Sequence, residues 1–93
     1  MKRINLEHDD YGSFAKKQLA TLRVKLASAG NNGDLEPVVI DAHALAFAGT
    51  SFLGVVAEVD LELQSHGQRL LVVGAAASIR EMFRVAGLER LLA

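Results

Sequence analysis

Apolar residues recur along the chain in patterns that separate helix from strand. After a short opening segment, Lys2 to Leu6, they fall at Tyr11, Ala15, Leu19, Leu22 and Leu26, spacings of 4, 4, 3 and 4 that lay one stripe along a helix. Gly30 follows Ala29 where a C′ glycine would end that helix. The stretch Gly30-Asn31-Asn32-Gly33-Asp34-Leu35-Glu36-Pro37 is turn chemistry, and Pro37 opens rather than interrupts the run Val38-Val39-Ile40. An uninterrupted β-branched run of this kind predicts a strand buried on both faces, ending at Asp41.

The middle of the chain carries two periods at once. Phe52, Val56, Val59 and Leu63 repeat at helical intervals, with Val55 widening the stripe, while Glu58 to Gln64 also alternates as a strand would. Length decides for a helix from about Ser51 to Ser65, because such an element is long for a strand and Gly67 supplies a stop. Arg69-Leu70-Leu71-Val72-Val73 is the next strand, closed by Gly74. Ile79, Met82, Phe83 and Ala86 make a further helical stripe, with Ser78 and Glu81 at capping-box spacing. Gly87 ends it, and Leu88 to Leu92 reads as a final half-helix. The order strand, helix, strand, helix, strand, helix predicts an α/β layered fold.

Composition narrows what this scaffold can do. Ninety-three residues make a single domain, 1–93, with 10 basic and 11 acidic side chains and a net charge of −1, which excludes a sequence-wide polycation for nucleic acid. Hydrophobic residues are 51% of the chain but aromatics only 5%, so Ala, Val, Leu and Ile must build the core. Cysteine is absent, which removes disulfides, thiolate metal sites and thiol nucleophiles. The opening residues turn acidic before any apolar run develops, and no apolar run approaches the ~20 residues of a membrane span, so a cytoplasmic protein without membrane insertion is expected.

Catalytic and cofactor chemistry find little support. His8, His43 and His66 lie in three different segments, which argues against a metal site, and no cofactor is expected. Gly49-Thr50-Ser51-Phe52-Leu53-Gly54 has the two glycines of a phosphate loop but Val55 where that loop needs Lys. No G-x-S-x-G elbow exists, so a free-standing enzyme is not expected. Asp9 and Asp10 read as capping groups at a helix start. Thr50 and Ser51 place adjacent hydroxyls where the apolar loop Ala44 to Ala48 turns into a helix. They serve either as an ordinary N-cap or as a phosphorylation site whose phosphate the first-turn amides would accommodate.

The segments Val38-Val39-Ile40-Asp41, Phe47 to Val56, His66 to Gly74 and Phe83 to Leu92 resemble, in order and spacing, the STAS domain of bacterial anti-sigma factor antagonists. Leu6-Glu7-His8-Asp9 is similar to the Gly-Glu-Leu-Asp step that leads into the family's first helix. The resemblance implies a STAS-like β-sheet of about four strands with helices mainly on one face, and an N-terminal hairpin shortened to Met1–Leu6. One sheet edge is then expected to be exposed, open to another STAS protein or to a second copy in a homodimer.

The family motif Asp-Ser-Ser-Gly-Leu-Gly, anchored on Leu53 and Gly54, places its phosphorylated serine at Ser51, with Thr50 the preceding hydroxyl. The resemblance therefore implies a non-enzymatic binding module whose partner is a serine kinase that doubles as an anti-sigma factor. Gly49, Thr50, Ser51, Phe52 and Val55 are the expected contact residues. Gly49 stands in place of the family Asp and Phe52 in place of Gly; Ser51-Phe52-Leu53-Gly54 has its parallel in the small stressosome scaffold branch. Lipid-transport members carry Thr at the position of Thr50, which gives the alternative of an accessory subunit docking on a transporter ATPase without phosphorylation.

Overall fold

The structure is a computed structural model and describes residues 2–6, 8–12, 15–30 and 36–93. Its elements are β1 (Lys2–Asn5), β2 (Asp10–Tyr11), α1 (Lys16–Gly30), β3 (Val38–Asp41), β4 (Phe47–Ala48), α2 (Thr50–Ser65), β5 (Leu70–Val73) and α3 (Ala77–Val85), followed by a 3-10 turn at Glu89–Leu91. Strands β1, β3 and β5 form a parallel sheet in that order, with Ile4 opposite Ile40 and Ile40 opposite Val72. A parallel bridge from Val72 to Leu92 adds a fourth, single-residue position beyond β5. The mixed α/β fold with a small parallel sheet is the one expected. Parallel pairing demands long crossovers, and α1 and α2 lie within the two that join these strands.

Burial follows the strand period. Val38, Ile40, Leu70 and Val72 share one core with Leu19, Leu22 and Leu26 of α1, Phe52, Val56, Val59 and Leu63 of α2, and Ile79 and Phe83 of α3. Full burial of side chains of this size is worth roughly 1.5–3 kcal/mol each. Val39 is buried as well, so β3 is covered on both faces, as its unbroken apolar run predicts.

Several local expectations change. Tyr11 lies in β2 rather than in the first turn of a helix; α1 begins at Lys16, and Ala15 accepts its first helical bond, from Leu19 N–H at 2.8 Å. Asp9 and Asp10 cap no helix: Asp10 Oδ1 accepts the N–H of Gly12 at 2.8 Å and closes a turn after β2. Strand β2 pairs in parallel with β4, so the residues before α1 make no hairpin among the described residues. Helix α3 starts at Ala77 behind Ala76 with no side-chain cap, which removes Ser78 from the capping role. Gly30 is a buried helical residue, and a Cβ there would stand 2.1 Å from Leu63 Cδ2, so its smallness serves the α1–α2 contact. Gly67 and Gly87, by contrast, do stop α2 and α3 in left-handed conformations (φ 75° and 76°). The turn expected over 31–35 lies outside the described residues.

Candidate functional site

The start of α2 is held by the N-terminal segment. Asp9 carbonyl accepts N–H bonds from Ala46 (2.7 Å) and Phe47 (3.0 Å), and Tyr11 carbonyl accepts one from Gly49 (3.0 Å). Below it, the Tyr11 ring meets Phe52 at 5.5 Å between centroids, and His8 stands edge-on to Tyr11 at 5.8 Å. Sequence logic explains the arrangement: β4 is too short to fix a helix by itself, so β2 supplies its partners.

Gly49 is the N-cap of α2, in extended conformation, and its carbonyl accepts from Phe52 (3.1 Å) and Leu53 (3.3 Å). No side chain caps the helix, so neither hydroxyl is the ordinary cap that one sequence reading proposed. Thr50 and Ser51 are both exposed at its first two positions, and neither side chain makes a hydrogen bond among the described residues. The two hydroxyls and the positive end of the helix dipole thus face solvent together.

The other expected contact residues divide. Gly49 and Val55 are partly exposed, the latter packed against the core, while Phe52 is fully buried beneath the hydroxyl pair. Gly54 is exposed, and a Cβ there would meet nothing within 4 Å. Sequence reasoning missed Phe47, whose ring is 56% exposed although it sits in an apolar run; only its two-residue pairing with β2 turns it outward, and that pairing has no local signal.

At the carboxyl ends of the parallel strands, Asp41 accepts the His43 N–H (3.0 Å) and two bonds from Arg3 (2.9 and 3.2 Å). The backbone donor first, and the guanidinium second, hold its carboxyl below the ordinary value of 3.8. Towards the far end of α2, buried Asp60 accepts from Arg90 and from Gln64, each at 2.8 Å. Among the described residues no group of three or more metal-ligating side chains is assembled, and no helix is long and apolar enough to cross a membrane.

Comparison with known proteins places this geometry. In fold the chain is similar to SpoIIAA, a Bacillus cell fate determinant solved in its phosphorylated form: TM-score 0.74, 20% identity, 98% of this chain and 78% of that one covered. A search of curated proteins gave no significant sequence match. The family model described as "Mlab, STAS domain" matches residues 11–93, all but the opening ten positions. The chain belongs to the STAS domain family.

Proposed function

We propose that the chain is a regulatory, non-enzymatic docking module of the cytoplasm that resembles an anti-sigma factor antagonist and binds a serine kinase or anti-sigma factor through the start of α2. In this reading Ser51 is the phosphorylation switch, Thr50 the lesser acceptor, and Gly49 and Val55 flank the contact. The observation that carries it is the exposed, uncapped Ser51 hydroxyl at the second residue of α2. A phosphate there adds about −1.5 to −2 charges inside a docked surface, and release of the kinase follows from the cost of desolvating them. That the structurally similar SpoIIAA is a phosphorylated protein supports the same reading. Incubation with the cognate kinase and ATP followed by phosphopeptide mapping tests it: label at Ser51 is expected, and label elsewhere with Ser51 untouched overturns the switch.

A second reading has its own support. The matching family model is described as Mlab, Gly49 replaces the family Asp, and Thr50 is the residue that lipid-transport STAS members are noted to share. The chain is then an accessory subunit docking on a transporter ATPase through the same pole, with no phosphoryl transfer. Co-purification with an ATP-binding cassette complex favours this role; tight, phosphorylation-sensitive binding to a soluble kinase excludes it. Pairing with another STAS chain along the outer edge of β1, which carries no strand among the described residues, is compatible with either role.

A further inference from the structure

Beside the helix start lies an open cavity of about 490 Å³ whose lining includes Asp9, Asp10, Gly12 and Phe47, with His8 and Gln18 completing its polar rim. We propose that this groove receives an arginine side chain of the protein partner; the inference rests on the docking reading above and names the chemistry that the partner must bring.

Gly12 is the floor on which the site is assembled. A Cβ on it would lie 2.8 Å from Phe47 Cε1 and 3.0 Å from Asp10 Oδ1, so the ring edge and the carboxylate converge on one bare backbone position. They stand within about 6 Å of one another, the distance over which a cation feels an aromatic face. The Phe47 ring is 56% exposed, a large apolar surface left uncovered at the edge of the β2–β4 ladder. Asp10 spends one oxygen on the Gly12 N–H, and the Asp9 carboxylate has no partner among the described residues.

The charge of the lining is one-sided. Asp9 and Asp10 are its two acidic groups, and no lysine or arginine lines it. An anion is therefore repelled, and a purely apolar group would bury both carboxylates without partners. A cation with a flat, weakly hydrated head satisfies both walls, stacking on the ring while its N–H groups reach the carboxylates. Guanidinium does this better than ammonium, whose compact charge holds its water more firmly.

The experiment needs no knowledge of the partner. The full chain, labelled with ¹⁵N, is titrated with acetyl-Gly-Arg-Gly-amide and with the analogues bearing citrulline or lysine. Saturable shifts are expected at Asp9, Gly12 and Phe47, with dissociation in the range of about 1–10 mM for one anchored side chain. Citrulline, isosteric but neutral, is expected to bind at least roughly tenfold more weakly, and lysine to fall between the two. Phe47→Ala and Asp9→Asn should each weaken the arginine peptide about fivefold or more while leaving the amides of the β1–β3–β5 sheet in place. Gly12→Ala, which drives the ring off its floor, should shift the Phe47 signals before any peptide is added. Absence of saturable shifts, equal binding of citrulline or lysine, or shifts confined to α3 overturns the proposal. Such a failure leaves the docking role of α2 standing, whereas loss of every kinase and transporter interaction with the peptide still bound would sink the docking role alone.

Discussion

Two helical glycines, Gly54 and Gly30, should respond to the same methyl group in opposite directions. At Gly54 a Cβ points into open space, so alanine gains helix propensity and constrains the unfolded chain at no packing cost, about 0.5–1 kcal/mol in favour of folding. For a domain of this size that raises Tm by roughly 2–8 °C. At Gly30 the methyl lands 2.1 Å from Leu63 Cδ2, and Leu63 is buried, so the side chain must turn within a packed core. Overpacking of this kind costs roughly 1–3 kcal/mol, against a propensity gain that is small in the last turn, leaving Gly30→Ala destabilised by about 1–2 kcal/mol. Urea and thermal unfolding of the two variants, read by circular dichroism, provide the assay, with unchanged urea dependence as the control for a two-state comparison. A destabilised Gly54→Ala, or a Gly30→Ala variant as stable as the parent, would refute the packing argument. Partner binding adds a second readout: Gly54 lies one turn from Ser51 on the exposed surface of α2, so the stabilised variant is expected to dock more weakly, a trade of function for stability.

Three further outcomes follow from the site and its supports. Ser51→Glu should lower affinity for a partner kinase on the order of 100-fold if the added charge costs about 3 kcal/mol, measurable by calorimetry; unchanged affinity would place the contact elsewhere. Arg90→Ala strips a guanidinium from buried Asp60 while Gln64 still donates to it, so a loss of about 1–3 kcal/mol is expected by urea denaturation, and stability equal to the parent would show the pair to be idle. Because the Asp41 carboxyl is held below 3.8, the folded chain binds that proton less readily than the unfolded chain; its contribution is present above about pH 4 and is lost as pH falls through the lowered value. Asp41→Asn should therefore flatten the acid limb of a urea-midpoint profile between about pH 2 and 5, and identical limbs would remove Asp41 from the acid transition.

Helices and central strands were legible because their signals are local. The spacing Leu19-Leu22-Leu26 and the stripe Phe52-Val56-Val59-Leu63 mark α1 and α2, and the runs Val38–Ile40 and Leu70–Val73 mark β3 and β5. What escaped are features made by contacts between distant residues. Asp10–Tyr11 and Phe47–Ala48 are each two residues long, too short for any period, and become strands only by meeting. Gly30 carries the same letter as a helix-stopping glycine, and only the approach of Leu63 from α2 shows its use. The Asp60–Arg90 pair joins a helical residue to one 30 positions later, so neither side chain betrays the other. Ser51 was found through a family resemblance that spans its neighbours; its exposure and its lack of a cap are properties of the fold.

The ladder of β2 on β4 has a consequence for how the docking pole comes into being. Asp10 meets Phe47, Lys2 meets Val38 and Val38 meets Leu70, separations of 37, 36 and 32 positions, so each of these strand pairings is non-local and waits on loop closure. Ribosomal synthesis delivers the carbonyls of Asp9 and Tyr11 long before the amides of Phe47 and Gly49 that they will hold. The pole is thus a late product of the cooperative transition, assembled from two ends of a crossover. A synthetic peptide of residues 47–65, although it contains Thr50, Ser51 and the whole of α2, lacks the two carbonyls that set the angle of its first turn, and is expected to be a poor mimic of the folded chain as a partner's ligand.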